Sequence, residues 1–251
     1  MPLALLLGAA ALPAQAEGLD PAVAGPLRRM STTLAAAPSL TVRLTQLREV
    51  PAAADQMLSL GATIAVGLRR GTGIAALVGS DRGSYRLWFD GTDATLLSLT
   101  AKAYARARMP GDTEGFLDRL ELQLGVGIPV RDLLAPDPFA ALTEPGTTGT
   151  LIGRTLVNGA PCDHFALRNR EADWQIWIAA TGQPLPCRLV VIDRKAPGAP
   201  RTVLEFQRWD LKAKLGAADF SFAPPRGAME VPWRDRGLAA FPQPPAAGAR
   251  P

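Results

Sequence analysis

Cys162, Asp163 and His164 stand together in the run NGAPCDHFALR, and their types are the first in the chain that could do chemistry. A histidine beside a cysteine can deprotonate the thiol and make it a nucleophile. On one strand, however, residues 162 and 164 point the same way roughly 7 Å apart, too far for a direct hydrogen bond. His164, the one histidine of the chain, is therefore read as a packing or surface residue. Glu171 and Asp173 lie in a turn and read as a solvated carboxylate pair. A nucleophile elbow, a phosphate-cradling glycine loop and paired metal-binding cysteine motifs are all missing. The expectation is a protein that is not an enzyme, with no catalytic residue, no metal and no cofactor.

Cys162 and Cys187 are the only cysteines. An even count in an exported chain favours a disulfide. Strand geometry argues the other way. If residue 168 pairs with 173, Cys162 faces Ala179, and Cys187 then lies on the far side of that strand. Two strand spacings are roughly 9.6 Å, more than a disulfide accepts. Frayed ends or a bulge near Pro161 and Pro186 would close the gap. The compartment argument makes a Cys162–Cys187 bond the expectation.

These residues sit in a stretch, Thr150–Trp209, that holds five runs rich in Val, Ile, Leu, Thr, Phe and Trp. Asn158-Gly159, Asn169-Arg170-Glu171, Thr181-Gly182 and Pro197-Gly198 separate them. Such punctuation predicts an antiparallel meander, with Asn158-Gly159 as a tight hairpin turn because both residues tolerate positive φ. The meander is apolar on both faces. Trp174, Ile176 and Ile178 share one side of their strand, while Gln175, Trp177 and Ala179 share the other. Either protein covers both faces, or one face curves around an apolar cavity.

Upstream, Leu19–Ala37 has helical apolar spacing, with Asp20 as N-cap, Pro21 at the first helical position and Pro26 expected to kink or break it. Leu40–Arg108 reads as about six strands, with Asp90-Gly91 as another hairpin turn. In SYRLWF, Tyr85, Leu87 and Phe89 share a face against Ser84, Arg86 and Trp88. In AKAYARARM, Lys102, Tyr104, Arg106 and Arg108 oppose a row of alanines, which leaves room for a packed helix or a ligand. Asp112 caps a helix to about Leu124, with Phe116, Leu117, Leu120 and Leu124 as its apolar stripe. Arg131–Leu134 and Pro138–Leu142 read as short helical turns. Phe220 and Phe222 close the last edge. The order of elements predicts one α+β domain without internal repeats.

The chain has 251 residues, 47% hydrophobic and 20% charged, with a formal charge of +4, which suits a globular protein. Its basic residues are scattered and accompany no nucleic-acid motif, so no nucleic-acid partner is expected. The opening PLALLLGAAALPAQA resembles the apolar core of a secretory signal ending at Ala14-Gln15-Ala16, although no Lys or Arg precedes it. The expected division is a signal peptide over 1–16, a domain over 17–225 and a disordered Pro/Ala-rich tail over 226–251. The apolar start is too short to span a bilayer, and nothing later could.

NGAPCDHFALR, DWQIWI, GQPLPCRLVV and EFQRW, in that order, with VRDLLAPDPFAALT and WFDGTDATLL before them, resemble a family of predicted periplasmic proteins of unknown function, domain 2092. The likeness covers about Asp20 to Pro225. That family is grouped with the outer-membrane lipoprotein carriers of the LolA/LolB type. The resemblance implies periplasmic localisation and a curved, open antiparallel half-barrel of about eleven strands, capped by helices over an apolar cavity. The carriers' release mechanism relies on an arginine in the cavity, but no motif places it at a numbered position here.

Two functions follow as expectations, ahead of a third reading as a hydrolase of unknown type. One is a periplasmic carrier for an acyl chain, as free lipid or on a lipoprotein; the other is an envelope protein-interaction or sensor module without ligand. For the first, Trp88, Trp174, Trp177 and Phe206 on the sheet and Phe116, Leu120 and Leu124 on the helix are expected to line the pocket.

Overall fold

Asp20 begins the first helix by accepting the Ala22 N–H at 2.8 Å, and Pro21 follows with its φ already helical. The computed structural model describes residues 19–52, 56–124 and 130–233; the expected signal peptide and residues 234–251 lie outside that set. Helix α1 (Pro21–Ala35) buries Val23, Leu27, Met30 and Leu34 along one face. It runs through Pro26 without the expected break. A proline this close to the N-terminus costs one hydrogen bond, and burial of the apolar face on both sides outweighs it.

Six antiparallel strands follow: β1 (Ser39–Pro51), β2 (Met57–Arg69), β3 (Gly73–Ser80), β4 (Gly83–Phe89), β5 (Asp93–Ser98) and β6 (Ala103–Arg108). Asp90 and Gly91 turn the chain between β4 and β5 as expected, and the Asp90 carboxylate accepts Thr92 N and Asp93 N within the loop. The second meander is β7 (Thr148–Val157), β8 (Ala160–Arg168), β9 (Ala172–Ala179), β10 (Pro186–Asp193) and β11 (Arg201–Asp210). Its first turn has Asn158 and Gly159 at φ 51° and 80°, the positive pair that a tight hairpin requires.

The two meanders join side by side, because β11 returns to pair with β1. The strand order is β12-β6-β5-β4-β3-β2-β1-β11-β10-β9-β8-β7. Strands β6 and β7, consecutive in the chain, therefore stand at opposite ends of the sheet. The connection between them must cross a whole face. It does so as α2 (Thr113–Leu124), α3 (Arg131–Leu134) and α4 (Pro138–Leu142), which with α1 cover that face. The result is an α+β fold with one large sheet capped by helices.

Strand β12 (Met229–Glu230) corrects two expectations. It raises the sheet to twelve strands among the described residues, and it pairs with β6 in parallel. Residues 226–233 were expected to begin a disordered tail. The open edge of β6 instead captures them, with Met229 N donating to Lys102 O and Val231 N to Tyr104 O.

One face of the sheet, with the helices, holds the main core: Val42, Leu44, Val66, Phe89, Phe165, Ile176, Leu204 and their neighbours. The inward alanines Ala103 and Ala105 of β6 belong to it. The opposite, outer face is covered at one end by the chain after β11. Leu215 lies over Gly67, Phe220 over Gly73, and Phe222 between Trp88 and Tyr104. A Cβ on Gly73 would lie 2.7 Å from the Phe220 ring, so only glycine lets the ring seat there. G73A should lower stability by about 1–3 kcal/mol in urea unfolding, as overpacking does. That cost should vanish in a Phe220→Ala background.

Candidate functional site

Strand alternation divides the four expected pocket residues of the sheet between its two faces. Phe116 and Leu120 on α2, Trp174 on β9 and Phe206 on β11 all belong to the helix-covered core. Trp88 and Trp177 do not. Trp88 packs with Leu97, Tyr104 and Phe222 on the outer face. Trp177 packs there with Val157, Cys162 and Val190. Each has neighbours in sequence that point into the core, Leu87 and Phe89 in one case, Ile176 and Ile178 in the other. Leu124 ends α2, and its side chain lies outside the described set.

The α2 stripe fills the space in which a pocket was expected. Phe116 is 0% and Leu120 1% exposed, and Phe116 stacks on Phe89 with ring centroids 4.1 Å apart. Asp112 starts this helix by accepting the Gly115 N–H at 2.8 Å. Open space lies at the margins instead. A cleft of about 150 Å³ beside α2 is lined by Leu68, Arg70, Thr113, Leu117 and Leu134. A wider one of about 500 Å³ lies at the Cys187 end of the sheet, lined by Val157, Ala160, Leu185, Cys187, Glu205 and Phe206.

Arg70, directly after β2, ties the helical cover to the sheet. Its Nε donates to Ala37 O at 3.0 Å and one terminal nitrogen to Leu34 O at 2.8 Å, both at the end of α1. The other donates to Leu134 O at 2.9 Å and Ala135 O at 3.2 Å, at the end of α3. Helix C-termini leave carbonyls without intrahelical partners, and a cation there also meets the negative end of the helix. Burial holds the Arg70 guanidinium below its ordinary pKa. Further polar ties join the helices: Arg131 pairs with Asp118 and Glu121 of α2, Phe139 N donates to Ser31 Oγ, and Arg28 lies 3.8 Å over the Phe139 ring. Sequence reasoning leaves Arg70 among the scattered basic residues. The signal was present, since alternation from buried Leu68 turns residue 70 to the core side, where a cation needs partners.

Cys162 and Cys187 form a disulfide, with their Cα atoms 6.8 Å apart. The two-strand gap closes because the β9–β10 register shifts between Pro186 and Arg188, leaving Cys187 as the extra residue of a bulge near the end of β9. No thiol is left for His164 to activate. Its Nε2 instead donates to Gln175 Oε1 at 2.9 Å, and its ring stacks on Trp177 at 3.9 Å. Among the described residues no group of three or more His, Cys, Asp or Glu is placed to hold a metal. No helix among them is long and apolar enough to cross a membrane.

A family model described as "Predicted periplasmic protein (DUF2092)" matches residues 25–233. The chain belongs to this family. Its compartment is the periplasm. No curated protein matches the chain. Among solved structures, an uncharacterised conserved protein from Thermus thermophilus is 11% identical, covers 84% of this chain and 99% of its own, and superposes with a TM-score of 0.47. The lipoprotein LppX of Mycobacterium tuberculosis is 12% identical over 78% of this chain and 100% of its own, with a TM-score of 0.39. A LolA superfamily protein from Nitrosomonas europaea is 11% identical over 79% of this chain and 96% of its own, with a TM-score of 0.39. At these scores the likenesses carry no functional weight.

Proposed function

We propose that this DUF2092 protein is a periplasmic, non-catalytic binding protein for an apolar ligand, an acyl chain of a lipid or lipoprotein. The ligand lies on the helix-covered face when the cover moves away. In this reading the sheet curves around the helices as a half-barrel, and Phe116, Leu120, Trp174 and Phe206 contact the ligand. Trp88 and Trp177, on the other face, have no part in it.

One observation carries the proposal: an apolar sheet face is closed by helices, and a single arginine binds the terminal carbonyls of two of them, α1 and α3. Bonds from a charged donor contribute about 1.5–3 kcal/mol each. Burying about a dozen methylenes of an acyl chain contributes on the order of 10 kcal/mol. The acyl chain would also take the place of the apolar side chains that the cover withdraws from the sheet face, so a ligand could displace the cover without unfolding the sheet. The cleft of about 500 Å³ next to Phe206 is the proposed entrance.

Native mass spectrometry of protein purified from cell envelopes tests this. Lipid-sized adducts released by collisional activation are expected. A bare polypeptide mass under gentle conditions, in both wild type and R70M, would contradict the reading.

The interaction-module reading rests on a different feature. Strand β7 is an open edge with Leu151, Ile152 and Leu156 exposed, a template to which a partner could add a strand. A copurifying envelope protein lost on Leu156→Asp, with lipid loading unchanged, would favour it.

A further inference from the structure

The outer face carries a row of arginines that form no ion pair among the described residues. In register across the strands lie Arg208 of β11, Arg43 of β1, Ala65 of β2, Leu77 of β3 and Arg86 of β4. Arg43 and Arg208 are direct cross-strand partners, an arrangement of like charges that weakens a sheet. Both are exposed, whereas Val42 and Leu44 on either side of Arg43 are buried in the core. Arg106 of β6 extends the basic surface towards the sheet edge. None of the ion pairs among the described residues includes any of these four arginines. Asp210, two residues from Arg208, accepts the Lys212 N–H instead.

Two of the four lie against aromatic rings. The Arg86 guanidinium lies 4.9 Å from the Trp88 ring centroid, and that of Arg106 lies 5.0 Å from Phe222. A guanidinium held over a ring can keep its edge N–H groups free for anionic oxygens. Among these cations Leu77 is 42% exposed, and Leu47 on the same face is 48% exposed. Arginines spread over four strand spacings, roughly 19 Å, with apolar side chains between them, match a layer of phosphate headgroups over hydrocarbon.

We propose that this face docks the protein on an anionic phospholipid surface. The site is on the opposite side of the sheet from the ligand-binding face and does not depend on it. The row is broad, and Leu77 and Leu47 project among the charges. That geometry suits a bilayer interface better than an acidic polypeptide, which would need pockets for its side chains.

Flotation of the oxidised, full-length protein with vesicles tests the proposal. Vesicles of equal parts phosphatidylglycerol and phosphatidylcholine should bind it at low salt and release it at high salt. Pure phosphatidylcholine vesicles should not bind it. Removing a juxtamembrane cation weakens binding about fivefold, so R43S/R208S should lose roughly 25-fold. L77S should lose up to about tenfold. The charge-matched turn variant R170S/K195S should bind as wild type does. R43S/R208S should melt at or above the wild-type temperature, since a like-charged pair is gone. Equal loss in both double variants would overturn the proposal, because net charge would then be the cause. So would absence of binding to the anionic vesicles, or binding to polyglutamate in preference to them.

Discussion

R70M should lose about 3–5 kcal/mol of stability in urea unfolding. Four carbonyls at the ends of α1 and α3 share this one guanidinium. Removing it forfeits charge-assisted bonds that contribute about 1.5–3 kcal/mol each. Water entering the neighbouring cleft recovers part of that, so the four do not add in full. R70K should recover little, since a compact ammonium cannot reach carbonyls spread over two helix ends as a planar fork does. Hydrogen exchange gives the local signature. Amides of α1 and α3 should exchange faster in R70M while the β1–β11 ladder keeps its protection. Uniform acceleration across the sheet would mean that Arg70 supports the whole fold rather than its cover.

Loss of the disulfide should be nearly as costly. The bond closes a loop of sequence separation 25, for which the chain-entropy contribution is about 3.5 kcal/mol. C162A/C187A should therefore melt roughly 7–14 °C below wild type, given the usual sensitivity of a domain of this size. Cys162 is fully buried beside Val157, Trp177 and Val190, so serine in its place would add a desolvation cost that alanine avoids. Adding reductant to wild type should reproduce the double variant. An unchanged melting temperature would show that the sheet end is held by packing alone.

Much of this fold is legible in the sequence because it is local. Two meanders of six and five strands follow from apolar runs and turn residues, and Asn158-Gly159 turns the chain where its φ preference demands. The division of Trp88 from Leu87 and Phe89, and of Trp177 from Ile176, is also local, being simple alternation. Pairing of β11 with β1 is not local, and it decides that the helices must cross the face between β6 and β7. Capture of residues 229–230 by β6 depends on an edge that exists only once the sheet has formed. The bulge at Cys187 is a shift of one residue that no composition reveals. Arg70 shows the same limit in the site: its position on the core side could be counted from Leu68, but its four partners come from helix ends brought together by the fold.

The central claim, an apolar ligand on the helix-covered face, is tested most directly by quenching with a brominated fatty acid. Trp174 faces that side and Trp177 the other, so the two rings report on opposite faces of one strand. Titration should give saturable quenching in wild type. W174F should lose much of the quenched fluorescence, W177F should retain it, and R70M should saturate at lower concentration because its cover opens more easily. Quenching that never saturates, or that disappears with W177F and survives in W174F, would contradict the account.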